Sequence, residues 1–131
     1  MLTLQKSQKL IAQALQIAER QTAQIAVAIC DSHGELICFS RMDNCSLQAA
    51  VLAKNKAYTS ARDRQPSGDL GAWAKETGKD MGYWSDPKFT GIMGGLPIYI
   101  ADQLVGAIGV SGLNEQEDQA LAAKALEILV Q

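Results

Sequence analysis

The six-residue segment Ile25–Cys30 is the longest unbroken apolar run in the chain. Within it large and small side chains alternate. Ile25, Val27 and Ile29 fall on one face of an extended strand, with Ala26, Ala28 and Cys30 on the other. A strand that is apolar on both faces belongs to a sheet covered on both sides. The small residues on one face leave room for a helix to pack close. The run is far short of the roughly 20 residues that span a bilayer. These constraints point to layers of helix, sheet and helix.

The flanking sequence supplies the other elements. Thr3 is a plausible N-cap for a first helix, in which Leu10, Ile11, Ala14, Leu15 and Ala18 recur at helical spacing until the pattern fades by Thr22. Ile25–Asp31 and Glu35–Met42 read as a hairpin, with Ser32-His33-Gly34 as its turn. Ser46 can cap a second helix reaching about Asp63, with Ala50, Ala53, Ala57 and Ala61 as a small-residue stripe. From Arg64 to Gly91 the pattern is irregular, and Pro66-Ser67-Gly68 and Asp86-Pro87 are turn signals. Ser67 is read as the cap of a short helix over Leu70–Glu76, and one further strand is allowed for in this segment. Leu96–Ile100 and Gln103–Ser111 form a second hairpin through Ala101-Asp102, with Gly106 and Gly109 inside the last strand. Glycine there implies a bend or a close backbone approach. Asn114 caps a final helix, with Glu117 at the capping-box position and Leu121, Ala125, Leu126 and Leu129 as its buried positions. Hairpins dominate, so the sheet should be mostly antiparallel.

The chain has 131 residues, of which 47% are hydrophobic and 20% charged, with a net charge of -2. This is the composition of a soluble globular domain, and the length fits one domain over residues 1–131. A weakly acidic balance offers no electrostatic reason to bind nucleic acid or an anionic membrane. The N-terminus turns amphipathic at once, with no continuous apolar signal region, so a cytoplasmic location is expected. Cys30, Cys38 and Cys45 form no CxxC, and His33 is the only histidine, which leaves too few ligands for a structural zinc site. No metal site is expected. No nucleophile stands out beside a base, so no catalytic residue is assigned.

Several stretches together resemble one family. They are Ala28–Leu36, Ser40-Arg41-Met42-Asp43, Ala53–Thr59, Asp86-Pro87-Lys88, Gly94–Ile98 and Val105–Gly112, followed by Glu117-Asp118. Each is weak alone, but the ordered set resembles the GlcG/HbpS family, which also supplies the C-terminal domain of PduO-type proteins. The resemblance implies an α/β (α+β) fold, a profilin-like α/β/α sandwich whose five-stranded antiparallel sheet is flanked by helices. It implies a homo-oligomer with a small-molecule or tetrapyrrole ligand, and haem as the cofactor. The role implied is storage, delivery or sensing. The alternative is a non-haem module that binds a small carboxylate metabolite, or an assembly domain in glycolate- or diol-type metabolism.

The candidate ligand-binding residues follow. If an axial imidazole is required, His33 is the sole source; otherwise Cys, Met or Tyr must serve. Gly94 and Gly95 either let a ligand approach backbone or form a sharp entry to the strand. Ser111 and Gly112 precede a helix start, where free N–H groups favour an anion, although Glu115, Glu117 and Asp118 already place negative charge there. Lys54 shares the side of the alanine stripe and can reach an anion, whereas Lys56 points elsewhere. Tyr58 either covers an aromatic ligand or fills core space. Arg41 either binds a carboxylate or pairs with a nearby acid. Met42 and Met93 are soft ligands or packing. Cys45, near a helix start, is the thiol whose pKa a helix would lower. Trp73, Tyr83, Trp84 and Phe89 are expected to gather as a ligand clamp or a subunit interface.

Overall fold

Thr3 starts the first helix by accepting a hydrogen bond from the Lys6 N–H on its Oγ1, at 3.1 Å. In the computed structural model, which describes residues 1–130, this helix, α1, runs Leu4–Arg20 and buries Leu10, Ile11, Ala14, Ile17 and Ala18. Strands β1 (Ala26–Asp31) and β2 (Leu36–Arg41) follow, then α2 (Leu47–Asp63) and α3 (Ser67–Thr77). Strands β3 (Gly95–Ile100) and β4 (Gln103–Ser111) precede α4 (Glu115–Leu126). Short 3₁₀ turns occupy Met81–Trp84 and Glu127–Val130.

The sheet is antiparallel throughout, in the order β2-β1-β4-β3. Among the described residues it has four strands, not the five expected. The segment before β3 closes on itself instead of extending. Asp80 Oδ1 accepts from the Gly82 N–H at 2.7 Å, and Asp86 Oδ1 accepts from the Lys88 N–H at 3.0 Å. Such side-chain turns satisfy backbone donors that a strand would offer to its neighbour.

The two faces differ as the alternation in β1 requires. Val27, Ile29, Ile108 and Val110 pack under α1 and α4 with Leu10, Ile11, Ile17 and Leu121. On the opposite face Ala26, Ala28, Cys30 and Ala107 meet Ala49, Ala50, Ala53, Ala57 and Ala61 of α2. Burying a large aliphatic side chain contributes about 1.5–3 kcal/mol, so the α1/α4 side supplies most of the apolar stabilisation. The alanine side contributes through close approach. Gly95 and Gly109 are register partners across β3 and β4. A methyl on Gly109 would overlap the Ala53 carbonyl oxygen, and one on Gly95 the Lys56 carbonyl oxygen. The glycines of β4 and β3 therefore seat α2 almost directly on the sheet.

Ser46 Oγ accepts from the Ala49 N–H at 3.1 Å, and Asn114 Oδ1 from the Glu117 N–H at 2.9 Å, so both act as N-caps. Ser67 does not. Helix α3 begins at Ser67 itself, after Pro66, with no side-chain cap. The Ser67 hydroxyl donates to the Ile92 carbonyl (2.7 Å) and accepts from the Gly95 N–H (2.9 Å), which pins α3 to the entry of β3. The tight β3–β4 turn places both Ala101 (φ 51) and Asp102 (φ 63) in the left-handed region. No described helix is long and apolar enough to cross a membrane.

Candidate functional site

The β1–β2 turn is built by one carboxylate. Asp31 Oδ1 accepts from the N–H groups of His33 (2.8 Å) and Glu35 (3.1 Å), and Gly34 takes a positive φ of 89. Arg62 of α2 donates to the His33 carbonyl at 3.3 Å. Both backbone polar groups of His33 are thereby engaged, while its side chain is exposed and its ring makes no hydrogen bond among the described residues. His33 lines a groove of about 660 Å³ whose walls include Leu2, Leu4, Ile37, Leu104 and Val105 together with the polar Thr3, Asp31, Ser32 and Gln103. An exposed histidine whose ring makes no hydrogen bond among the described residues thus stands at a groove of mixed apolar and polar lining.

The other side of the same turn faces α2. Tyr58 is half-buried, and its hydroxyl donates to Asp86 Oδ2 at 2.6 Å. The hydrogen bond to Asp86 holds the phenol above its ordinary pKa, with burial adding to the effect. For Asp86, burial pulls the carboxyl upward. The Tyr58 and Lys88 donors and the Arg62 and Lys88 charges outweigh it, so the group sits below its ordinary value. Tyr58 therefore ties α2 to the Asp86 loop and is not simple core filling. Lys54 and Tyr58 line a cavity of about 220 Å³.

Lys54 is exposed, and the buried lysine is Lys56. The flank of α2 that faces β3 is covered by α3 and by the segment entering β3, and Thr90 N–H donates to Thr59 Oγ1 there at 3.0 Å. On the flank toward the edge strand β2, Lys54 lies over the Phe39 ring. Lys56 Nζ donates to Asp118 Oδ2 at 3.0 Å and to the Val110 carbonyl at 2.9 Å. Asp118 Oδ1 accepts from the Leu113 N–H at 3.0 Å. Burial pushes the Asp118 carboxyl up, with the Lys56 and Leu113 donors pulling it back.

Of the glycine and serine candidates, Gly94 and Gly95 pack against Lys56 of this ion pair. Gly94 and Gly95 are buried. A methyl on Gly94 would overlap the Val110 carbonyl oxygen and lie 2.8 Å from Lys56 Nζ. Ser111 is buried, and a methyl on Gly112 would overlap the Gln24 carbonyl oxygen. These close approaches are made by the protein's own backbone. The carboxylate beside the start of α4 is Asp118.

Arg41 is exposed, and among the described residues it forms no ion pair. Met42 Sδ accepts from the Ile25 N–H at 3.3 Å, which makes it a packing and capping residue. Met93 lines a separate cavity of about 580 Å³ with Met81, Phe89 and Glu115. Burial pushes the Cys45 thiol up, against the lowering expected at a helix start, and the Arg41 charge only partly opposes it. Burial carries Cys30 further, to about 12. The aromatic residues split into two groups. Trp73 and Trp84 meet edge to face at 5.4 Å, whereas Phe89 pairs with Tyr58 at 6.0 Å. Among the described residues no group of three or more His, Cys, Asp or Glu is placed to hold a metal ion.

A family model described as haem degrading protein HbpS-like matches residues 2–127. The chain belongs to the HbpS-like family. It is similar to protein GlcG of Escherichia coli strain K12, 30% identical over 110 residues that cover 84% of this chain and 81% of GlcG. The HbpS-like fold is also plain in solved structures. A double mutant of Streptomyces reticuli HbpS superposes with a TM-score of 0.89 at 25% identity, covering 98% of this chain and 86% of that one. A complex of PduOC with haem superposes with a TM-score of 0.88 at 23% identity, covering 96% and 93%. At that identity the second likeness shows the fold alone. The GlcG/HbpS resemblance of the ordered motifs is thus borne out.

Proposed function

We propose that this chain is a haem-binding accessory protein, a single cytoplasmic domain that works as a homo-oligomer in storage, delivery or sensing. The observation that carries the reading is the placement of His33. It is the only histidine, and it lines a groove whose apolar residues are Met1, Leu2, Leu4, Ile37, Leu104 and Val105. The backbone of the turn is held by Asp31 and Arg62, which leaves the ring unengaged. Membership of a family described as haem degrading, and the shared fold of a haem complex, support the same ligand.

The residues fit the group. A haem iron takes an imidazole nitrogen as axial ligand, and its macrocycle requires an apolar wall. His33 would supply the first, and Leu2, Leu4, Ile37, Leu104 and Val105 the second. Bound haem would supply iron redox and ligand chemistry. The chain's part is to hold the imidazole on a fixed turn and to exclude water from one face. A haemin titration followed by visible absorption tests the reading. A saturable Soret band at one equivalent per chain supports it, and absorbance that grows without saturation overturns it.

A further inference from the structure

We infer that the cavity between α2 and the β1–β2 turn is a binding site for a small organic carboxylate with a short apolar body. Two lysines line this cavity of about 220 Å³, Lys54 on α2 and Lys88 on the loop after α3. Neither has a carboxylate at ion-pair distance among the described residues. Each is held instead over an aromatic ring. Lys54 Nζ lies 4.5 Å from the Phe39 centroid, and Lys88 Nζ 5.2 Å from that of Tyr58. A ring attracts a cation without neutralising its charge, and each ammonium keeps donors for an incoming anion.

The neighbouring charges are already matched. Arg62 faces Asp86 at 3.9 Å, and Asp86 also accepts the Tyr58 hydroxyl. Tyr58 thus brings to the site a ring that also carries the Arg62 guanidinium, 5.0 Å from its centroid, and not its hydroxyl. The ring, the exposed Leu36 and the buried Cys30 form an apolar lining that suits a hydrocarbon body more than a bare inorganic anion. Asn55 adds a side-chain amide that makes no hydrogen bond among the described residues. Glu35 is the one like charge in the wall, and it opposes an anion. This site lies on the opposite side of the turn from the His33 groove and is independent of the haem reading.

Amide NMR titration of the full chain at constant ionic strength tests it, with sodium butyrate, sodium acetate, inorganic phosphate and sodium chloride as probes. Butyrate should give saturable shifts at Gly34, Glu35 and Asn55, and should bind more tightly than acetate or phosphate. Lys54→Met and Lys88→Met should each weaken butyrate roughly tenfold, the loss expected for one charge-assisted hydrogen bond. Glu35→Gln should tighten it. Shifts that fail to saturate, that chloride reproduces, or that persist unchanged in the Lys54→Met/Lys88→Met double variant overturn the proposal. All four variants alter only exposed side chains, so native-like spectra are expected before titration.

Discussion

Lys56 of α2 and Asp118 of α4 form a 3.0 Å ion pair with side chains only 1% and 3% exposed, and they join the two helical layers that cover opposite faces of the sheet. The pair wraps past the end of β4, where Lys56 also holds the Val110 carbonyl. Taking two charges out of water is costly, and removing one partner leaves the other buried and unpaired. Lys56→Met or Asp118→Leu alone should therefore destabilise the fold by about 3–5 kcal/mol. The double variant should recover much of that loss. Urea denaturation of the four proteins in a double-mutant cycle measures it, and purely additive losses would show that the pair is not coupled.

The seating of α2 predicts a second effect. Gly109→Ala places a methyl against the Ala53 carbonyl, which cannot move aside as a flexible side chain would. Overpacking of this kind costs about 1–3 kcal/mol. Thermal unfolding of Gly109→Ala should show the loss. Ala107→Gly, two register positions from the clash, should not reproduce a displacement of α2 in near-UV or NMR spectra.

Tyr58 and Asp86 make the fold sensitive at both ends of the pH scale. The folded phenol titrates above its ordinary value of 10.0, so its stabilisation is complete below that pH and is lost as pH rises through the folded value. The folded Asp86 carboxyl titrates below its ordinary value of 3.8. Its contribution is present above pH 3.8 and is lost as pH falls through the folded value. Absorbance at the tyrosinate band should show one tyrosine ionising late. Asp86→Asn should bring that ionisation earlier.

The three thiols should differ in reactivity. Cys30 and Cys45 are buried and their pKa values are pushed up, whereas Cys38 lies half-buried on the edge strand β2. The thiolate is the reactive form. In native protein a thiol reagent should modify Cys38 first, as mass spectrometry of the digest would show. Prior modification of Cys45 would contradict the burial argument.

Where the fold was legible, neighbouring residues carried the signal. Strand β4 spans Gln103–Ser111 as expected, because its alternation is bounded by a tight turn and a capped helix. Thr3, Ser46 and Asn114 read as caps because a cap is a contact three residues long. Ser67 failed that reading because its partners, Ile92 and Gly95, are 25 and 28 residues away. Choosing between Lys54 and Lys56 required knowing which flank of α2 is covered, and that is decided by α3 and the entry to β3. Asp118 was legible as a first-turn acid but not as the partner of a lysine 62 residues earlier. The residues of the irregular segment allow for one more strand and the family resemblance implies a fifth; the side-chain turns at Asp80 and Asp86 close that segment locally instead.

The central claim is that His33 presents an axial ligand to haem. It is tested most directly by titrating haemin into the native protein and into His33→Ala, with circular dichroism to establish that both are folded. The account predicts a saturable Soret band in the native protein that shifts or is lost in His33→Ala. A band unchanged by the substitution, or no saturable band in either protein, would contradict it.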